Sequence, residues 1–297
     1  MNLECCNICP RNCKVNRNNK EIGFCKASNK IKIAKYSLHY WEEPCISGKS
    51  GSGTIFFSGC NLKCIFCQNY ELSFNNLGKE ISIEEFASIC LELQDKKALN
   101  INLVTPTIYI PLIKEGLILA KKKGLTIPIV YNSSGYESVD SLKELDGLID
   151  VYLPDFKYYD NDLAIKFSQA NNYLEIASLA LKEMYRQVGT PKFKGDIMKK
   201  GVIVRHLLLP NHIDDSKKVI KYLYDTYKDG IYISIMNQYT PVRKIDKYKE
   251  LNNTVTNEEY DKLINYACDL GITNAFIQEG ETCKDSFIPD FNQFKDI

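Results

Sequence analysis

The residues with the clearest capacity for chemistry in this sequence are three closely spaced cysteines, Cys60, Cys64 and Cys67. They follow the apolar run at 54–57, which is typical of a buried strand, so the three thiols lie in the loop that leaves it. Three thiolates match three irons of a 4Fe-4S cubane and leave the fourth iron open to a substrate or cosubstrate. A structural zinc site needs a fourth ligand, and no Cys or His follows within reach of this loop. The spacing therefore favours an iron-sulfur cluster over three cysteines that pack near a strand end without metal.

A second group of cysteines precedes this loop, in a polar stretch rich in Asn and Lys. Its members are Cys6, Cys9, Cys13 and Cys25, with Cys5 as an extra thiol. Four thiolates can close a structural zinc site or carry a second iron-sulfur cluster, and the spacing does not decide between them. Unpaired thiols at this density are prone to oxidation, which favours a metal of one kind or the other. We therefore predict an N-terminal Cys-rich metal-binding segment over residues 1–50.

Composition and charge exclude several classes of protein. The 297 residues carry 38 Lys and Arg against 37 Asp and Glu, and 44% of them are hydrophobic. These values disfavour both a disordered chain and a nucleic-acid binder with a basic surface. No apolar run approaches the ~18 residues of a membrane helix, and the N-terminal MNLECC lacks the pattern of a signal peptide. Twelve cysteines are too dilute for a disulfide scaffold. The sequence thus predicts a cytoplasmic protein that binds neither nucleic acid nor membrane.

The elements that must position these cysteines follow from hydrophobic patterning. From residue 54 onward, short apolar runs alternate with longer helical patterns, which is typical of a parallel sheet with crossover helices. Six or seven such units wound in one sense predict a full or partial βα barrel over residues 51–297, with its active site at the carboxyl ends of the strands. The predicted strands are 54–59, 101–105, 126–132, 150–154, 201–209, 231–236 and 273–278.

Capping residues mark the helices between these strands. A Ser or Thr followed three residues later by Glu has the spacing of a capping box, and an Asp can serve as a simple N-cap. The predicted helices are 82–98 (capped by Ser82 with Glu85), 110–123, 162–188, a helix from Asp214 or Asp215 to 228, and 256–271 (capped by Thr256 with Glu259).

The cysteine loop resembles the signature of an enzyme superfamily. CxxxCxxC after the first strand of a βα-repeat protein is similar to the motif of the radical S-adenosylmethionine (radical SAM) superfamily. The segment GSGTIFFSGCNLKCIFCQNYELS at 51–73, together with the N-terminal CNICPRNC, resembles the branch related to pyruvate formate-lyase activating enzymes. The resemblance implies an α/β fold, a partial (β/α)6-type TIM barrel of the radical SAM type with the N-terminal Cys-rich segment as an appendage.

The resemblance also implies two cofactors, a 4Fe-4S cluster held by Cys60, Cys64 and Cys67, and SAM. In that family the unique iron chelates the amino and carboxylate groups of SAM. One electron from the reduced cluster then cleaves the sulfonium to methionine and a 5′-deoxyadenosyl radical. The protein must orient SAM, exclude water and dioxygen, and hold a C–H bond near the radical. A flavodoxin- or ferredoxin-type protein is the expected reductant.

Polar residues that follow the second and third strands are candidates for binding SAM. Thr105 and Thr107 lie where relatives carry a Gly-rich turn with a Glu, and their oxygens can accept from the methionine ammonium. Asn132 and Ser134 can bind the ribose hydroxyls. In both places, a turn that only starts the next helix is the alternative.

The next strand ends carry charged or amide side chains. Asp155 and Lys157 point the same way along an extended segment, resemble a pair that contacts SAM or a cation in glycyl-radical activases, and can bring Lys157 to the methionine carboxylate. Relatives place an Arg near SAM on the fifth strand, so we expect Arg205 to face the interior and His206 to pack. Gln238 follows the sixth strand, where the activating enzymes have a His on the adenine side.

Together these features favour a radical SAM enzyme that abstracts hydrogen from a protein or peptide, with activation of a glycyl-radical enzyme as the reaction that the resemblance suggests. The absent Glu turn and strand-six His keep open a radical SAM enzyme that modifies a small molecule or a precursor peptide. The non-enzymatic alternative is an iron-sulfur or zinc protein that binds a partner or transfers electrons. The connector HYWEE at 39–43 is expected to form an aromatic hinge, with an approach of its His or carboxylates to the barrel mouth as the alternative.

Overall fold

The computed structural model describes residues 3–278, so Cys283 lies outside the described residues. One sheet contains ten strands: β1 (Ile31–His39), β2 (Ser52–Phe57), β3 (Lys79–Ile81), β4 (Ile101–Val104), β5 (Ile129–Ser133), β6 (Val151–Pro154), β7 (Lys192–Lys194), β8 (Ile197–Leu207), β9 (Tyr232–Met236) and β10 (Ala275–Ile277). The same part of the chain contains nine α-helices: α1 (Pro44–Ser47), α2 (Tyr70–Ser73), α3 (Ile83–Asp95), α4 (Ile110–Lys122), α5 (Val139–Lys143), α6 (Asn161–Ser168), α7 (Tyr173–Val188), α8 (Ile213–Tyr227) and α9 (Asn257–Asp269). None of these helices is both long and apolar enough to cross a membrane.

Seven strands run parallel through the sheet, in the spatial order β2, β4, β5, β6, β8, β9 and β10. Each parallel strand therefore lies beside the next one along the chain, which is the arrangement of a βα barrel. Strand β1 pairs antiparallel with the outer side of β2, and β3 pairs antiparallel with β1. Over residues 3–278 the two ends of the sheet are not joined, so the barrel is open. The predicted α/β class and partial barrel are confirmed.

The parallel strands correspond to the seven strands predicted from apolar runs. Strands β2 and β4 are buried at every residue, as strands covered on both faces are. Both predicted capping boxes are also present. The hydroxyl of Ser82 accepts from the N–H of Glu85, and the Glu85 carboxylate accepts from the N–H of Ser82, at the start of α3. Thr256 and Glu259 make the same pair of bonds at the start of α9.

The single long helix predicted over 162–188 is wrong, because the chain forms α6 and α7 there. Gln169 and Asn172 adopt left-handed backbone with φ of 52° and 51°. A left-handed residue ends a helix because it turns the next peptide away from the helix axis. The chain therefore forms two helices separated by a short turn.

The Asp cap predicted for α8 is wrong as well. His212 is the N-cap residue and makes no side-chain capping bond. The carboxylate of Asp215 accepts instead from the N–H groups of Tyr159 at 3.2 Å and Asp160 at 2.8 Å. This side chain thus ties α8 to the loop after β6, a long-range contact that helix-capping patterns do not reveal.

The first 50 residues contribute to the barrel sheet. The alternating pattern IKIAKYSLH forms β1, which pairs with β2 from Ile33 opposite Phe57 to His39 opposite Ser52. Ile33 and Phe57 are buried in one continuous core. Strand β1 therefore belongs to the same sheet as the barrel strands.

Candidate active site

A cavity of about 430 Å³ lies at the carboxyl ends of the parallel strands, beside the loop that follows β2. Its volume is in the range of small-molecule sites. Loops at this end of a βα barrel carry the functional side chains, because the strands deliver them to one face. The predicted residues that line the cavity are Cys60, Cys64, Cys67, Thr105, Asn132, Ser134, Asp155, Lys157, Arg205 and Gln238.

The three cysteines of the loop after β2 each contact a hydrogen-bond donor. Hydrogen bonds of this kind favour the ionised sulfur over the neutral thiol. The bonds run from the N–H of Leu62 to Cys60 Sγ at 3.3 Å, from Ser168 Oγ to Cys64 Sγ at 2.9 Å, and from Ser73 Oγ to Cys67 Sγ at 3.3 Å.

The electrostatics of the three thiols call for a cationic partner. Burial raises the pKa of all three, and that of Cys60 reaches about 12 with the neighbouring Cys64 and Cys67 adding to the rise. The Lys157 ammonium opposes this rise at Cys64. Such thiols ionise together only around bound cations, and soft sulfur donors suit an iron-sulfur cluster. Among the described residues no three Cys, His, Asp or Glu side chains converge on a point for one metal ion; a cubane binds its three thiolates on three different irons.

A network of charged side chains lies beside these thiols. Asp155 accepts from Lys157 Nζ at 2.7 Å and from Arg205 Nε at 3.0 Å, so its carboxylate lies between two cations. Arg205 also donates to Glu42 Oε2 at 3.3 Å and to Asn132 Oδ1 at 2.6 Å. Burial opposes charge on both members of the Asp155–Lys157 pair, but their attraction outweighs it, so the pKa of Asp155 is lowered and that of Lys157 is raised. The cavity therefore keeps fixed charges at neutral pH.

Two further strand ends have the features of a ligand site. Thr105 follows β4 with a φ of 61°, a left-handed conformation that is rare for a β-branched residue. Its N–H donates to the C=O of Asn132 at 2.8 Å, which helps to hold this conformation. Ser134 follows β5, and its buried Oγ has no hydrogen-bond partner among the described residues. Backbone strain concentrates at ligand clamps, and a buried hydroxyl without a partner costs stability unless a ligand satisfies it.

Thr107 is the predicted SAM contact that the structure does not bring to the cavity. It is fully buried after β4, and its Oγ1 donates to Glu137 Oε1 at 2.7 Å. Glu137 also accepts from the hydroxyl of Tyr131 at 3.1 Å, and burial raises its pKa to about 7. The Thr107 hydroxyl is thus bound to a carboxyl 30 residues away in the chain, a partner that strand-end reasoning did not include.

Arg205 and His206 point to opposite faces of β8, as neighbours in a strand do. Arg205 lines the cavity, whereas His206 is buried with its Nδ1 2.7 Å from the C=O of Phe156. Burial lowers the pKa of His206 to about 4, so this imidazole is neutral. Gln238 lies after β9, where its Oε1 accepts from Nε2 of Gln278 at 3.1 Å.

The connector between β1 and β2 also reaches the cavity, although the sequence suggested an aromatic hinge. Glu42 pairs with Arg205 and accepts from Asn102 Nδ2 at 3.0 Å. Glu43 is buried, and its Oε2 has no hydrogen-bond partner in the part of the chain that the structure describes. Burial raises the pKa of both carboxyls. Trp41 lines the cavity although it is 62% exposed. The sequence signal for this contact was the adjacent pair Glu42 and Glu43, because acidic residues that become buried usually have a partner.

The family of the chain follows from a comparison with known proteins. A family model described as the Radical SAM superfamily matches residues 54–223, a span that begins within β2 and ends within α8. The chain belongs to the radical SAM superfamily. The superfamily predicted from the cysteine spacing is therefore confirmed, and membership implies an enzyme that uses a 4Fe-4S cluster and SAM.

Two curated relatives show how far the similarity extends. The uncharacterized protein MJ0674 of Methanocaldococcus jannaschii is 34% identical over 277 residues, which cover 88% of this chain and 74% of that protein. The pyruvate formate-lyase-activating enzyme of Staphylococcus epidermidis is 24% identical over 178 residues, which cover 56% of this chain and 65% of that enzyme.

A solved structure has a similar fold. SuiB of Streptococcus suis, bound to its precursor peptide SuiA, matches with a TM-score of 0.53 at 14% identity. The match covers 75% of this chain and 47% of the SuiB chain, so this chain spans about half the length of SuiB. At this identity the likeness concerns the fold alone.

Proposed function

We propose that this radical SAM protein cleaves SAM reductively and uses the resulting radical to abstract hydrogen from a protein or peptide substrate, most directly a glycyl-radical enzyme. The observation that carries the proposal is the meeting of three cysteine thiols and a set of partly buried charges in one cavity. The reaction needs sulfur ligands for a cluster and charges for the zwitterionic end of SAM at the same place.

Cys60, Cys64 and Cys67 are the proposed ligands of the 4Fe-4S cluster. When bound through three thiolates, the cluster supplies the electron that cleaves the sulfonium of SAM to methionine and a 5′-deoxyadenosyl radical. Ser168 donates to Cys64 Sγ and Ser73 donates to Cys67 Sγ. Hydrogen bonds to ligand sulfurs stabilise negative charge there, and they set the reduction potential together with the degree of burial.

The strand ends are the proposed SAM contacts. Lys157 is assigned to the methionine carboxylate, and Thr105 to the ammonium through its oxygens. Asn132 and Ser134 are assigned to the ribose hydroxyls, and Gln238 to the adenine side. The assignment of Ser134 is supported by its unpartnered hydroxyl, and that of Thr105 by its left-handed backbone at the cavity wall.

Asp155 and Arg205 act in this proposal by holding the other groups in place. Asp155 fixes the Lys157 ammonium at 2.7 Å, and Arg205 fixes both Asp155 and Asn132. Side chains locked by ion pairs lose little freedom when SAM binds, which lowers the cost of orienting it.

A polypeptide substrate is supported by the mouth of the cavity and by the relatives. The barrel is open along one side over the described residues, and Trp41 presents an exposed indole where the cavity meets solvent. Exposed aromatic side chains are enriched where proteins bind other polypeptides. Among similar proteins, one is named for activating pyruvate formate-lyase and another is bound to a precursor peptide.

A second candidate, the modification of a small molecule or a precursor peptide, is favoured by two residues. Thr105 stands where the activating enzymes carry a Gly-rich turn with a Glu, and Gln238 stands where they carry a His. An amide cannot become cationic at neutral pH, so the adenine side of this cavity differs in charge from theirs.

The test of catalysis uses anaerobically reconstituted protein with SAM and dithionite. We expect release of 5′-deoxyadenosine and methionine in equal amounts. A fully loaded cluster that releases neither would contradict the proposal and favour the non-enzymatic iron-sulfur or zinc protein.

The substrate class is tested by adding the polypeptides encoded beside the gene. A glycyl-radical EPR doublet on a partner enzyme supports activation. Deuterium transfer into 5′-deoxyadenosine from a labelled precursor peptide or metabolite, without that doublet, supports the second candidate instead.

A further inference from the structure

The cysteines of the N-terminal segment are held on hydrogen-bonded turns. The N–H of Cys6 donates to the C=O of Val15 at 3.0 Å, and its C=O accepts from the N–H of Lys14 at 2.9 Å. Cys6 is thereby fixed against the residues that follow Cys13. Lys14 and Lys26 come directly after Cys13 and Cys25, and both have left-handed φ angles, of 57° and 59°. This conformation costs energy for a residue other than glycine, so it persists where the surrounding structure holds it, often at a ligand site.

The turns bring four thiols together and leave a fifth outside. The backbone bonds of Cys6 with Lys14 and Val15 place Cys6 beside the segment that follows Cys13. A Cβ on Gly23, two residues before Cys25, would lie 3.2 Å from Cys13 Sγ, and the charges of Cys6, Cys13 and Cys25 all act on Cys9. Cys6, Cys9 and Cys25 are at most 5% exposed, and Cys13 is partly exposed. Cys5, the adjacent cysteine, is exposed. The structure thus separates four of the five N-terminal cysteines as one group, and soft sulfur donors in such a group select thiophilic metals.

A buried cation lies beside this group. Arg17 is only 2% exposed; its Nη2 donates to Cys25 Sγ at 3.6 Å and its Nη1 donates to the C=O of Ile108 at 2.7 Å. Arg is rarely buried unless it is paired with negative charge. A guanidinium against sulfur therefore indicates that the group carries negative charge in its working form, as thiolates around a metal do.

The four-cysteine group touches the loop that carries the other three cysteines. A Cβ on Gly59, which precedes Cys60 and has a φ of 82°, would lie 2.7 Å from the C=O of Cys25. The two segments are therefore in backbone contact, and only glycine fits there. The buried Lys63 ammonium is attracted to sulfur atoms of both groups, Cys60 and Cys25.

We propose that Cys6, Cys9, Cys13 and Cys25 bind a second 4Fe-4S cluster that passes electrons to the cluster at Cys60, Cys64 and Cys67. A structural zinc site could attach this segment at any place on the barrel. A cluster that passes electrons must lie close to the cluster that receives them. The position of Cys25 against Gly59 meets that requirement, and Cys13, which is partly exposed, gives the group access to a donor in solvent. This inference rests on the proposed function for its acceptor, but not for the existence of the second cluster.

The electron balance of the relay is simple. A reduced low-potential protein of the flavodoxin or ferredoxin type gives one electron to the N-terminal cluster, which goes from the 2+ to the 1+ state. The N-terminal cluster passes that electron to the cluster at Cys60, Cys64 and Cys67 and returns to 2+. No proton or bond is exchanged in either step, and the one-electron donor is the only co-reactant.

The existence of the second cluster is tested with full-length Cys60→Ala/Cys64→Ala/Cys67→Ala protein, reconstituted anaerobically. We expect about four irons and four sulfides per chain and an EPR signal after dithionite reduction. Zinc, or no metal, in folded protein would overturn the proposal. If this variant does not fold, Cys9→Ala/Cys25→Ala in the otherwise unchanged chain gives the same answer. It should halve the iron content, and an unchanged iron content would overturn the proposal.

The relay is tested by a comparison of reductants. Cys9→Ala/Cys25→Ala is expected to cleave SAM at least half as fast as the unchanged protein with dithionite, which reaches the other cluster directly, and at least tenfold more slowly with reduced flavodoxin. Equal rates with flavodoxin would overturn the relay. Cys5→Ala, the matched control, should change neither the iron content nor either rate. Failure of the proposed function is recognised separately, as absence of SAM cleavage with both reductants while the N-terminal EPR signal persists.

Discussion

The two groups of cysteines differ in number, surroundings and place in the fold. Cys60, Cys64 and Cys67 follow a barrel strand and line a cavity with ion pairs, a strained strand end and a Ser134 hydroxyl that has no partner within residues 3–278. The N-terminal four are held on turns, with a buried Arg beside them and backbone contact to the other loop. Three thiolates leave a cubane one open iron, and four close it. The difference shows that the function of a set of cysteines depends on the side chains of the surrounding cavity as well as on the number of sulfur atoms.

The largest effect that separates the two regions is expected from Cys64→Ala. If Cys64 is one of three cluster ligands, as proposed, its loss removes the cluster that faces the cavity, and SAM cleavage should fall to background together with the SAM-sensitive EPR signal. Iron held by the N-terminal group should remain. The matched control is Cys268→Ala, at an exposed cysteine in α9, which should retain full activity. SAM cleavage that survives in Cys64→Ala would contradict the assignment of the open cluster to this loop.

A smaller effect is expected from Asp155→Asn, which leaves both groups of sulfur ligands intact. Lys157 and Arg205 lose the carboxylate that they share, and removal of one partner from a buried ion pair costs about 2–5 kcal/mol. We expect kcat/KM for SAM to fall at least roughly 30-fold while both EPR signals persist.

The control for this substitution is an Asp in an exposed pair. Asp140 lies 3.8 Å from Lys143 and its side chain is 89% exposed. Asp140→Asn should leave kcat/KM unchanged, because exposed ion pairs contribute little. Equal kinetics for both variants would show that the charged network does not serve SAM.

The smallest expected effect concerns Glu137, in a segment that touches both regions. The C=O of the preceding residue, Tyr136, accepts from Asn61 Nδ2 at 2.5 Å, and the Tyr136 ring lies 5.4 Å from the Arg11 guanidinium. Burial raises the pKa of Glu137 from 4.5 to about 7, so the folded state binds a proton that the unfolded state has released in this range. The free energy of unfolding should therefore fall by about 3 kcal/mol as pH rises from about 4.5 to about 7.

Glu137→Gln should remove this slope, as measured by anaerobic urea unfolding at a series of pH values. Glu144→Gln serves as the control, since Glu144 pairs with Lys114 at the surface and its pKa is lowered, so its contribution changes only below its ordinary pKa. A slope that persists in Glu137→Gln would show that another group titrates there.

Much of the fold could be predicted because its signals are local. Strands such as β4 and β6 consist of apolar residues apart from Asn102, and the Ser82 and Thr256 capping boxes depend on neighbours three residues away. The break at 169–172 escaped prediction because Gln169 and Asn172 adopt left-handed backbone that residues of their types do not require. Strand β1 escaped because its antiparallel pairing with β2 is a long-range contact.

The sequence predicted those residues of the site whose positions depend only on the ends of the parallel strands. Strand ends meet at one face of a barrel, so residues such as Asp155 and Arg205 come together although they are 50 residues apart. Glu42 and Glu43 reach the same cavity through the antiparallel turn of the connector, and strand-end reasoning does not extend to it. Thr107 follows the expected strand, but its hydroxyl donates to the buried carboxyl of Glu137 and does not reach the cavity.

The most direct measurement of the central claim is the EPR spectrum of the dithionite-reduced Cys9→Ala/Cys25→Ala protein before and after addition of SAM. This variant keeps Cys60, Cys64 and Cys67, so its reduced cluster should shift in g values when SAM binds the open iron. A spectrum from that cluster that SAM leaves unchanged at saturating concentration would contradict the account.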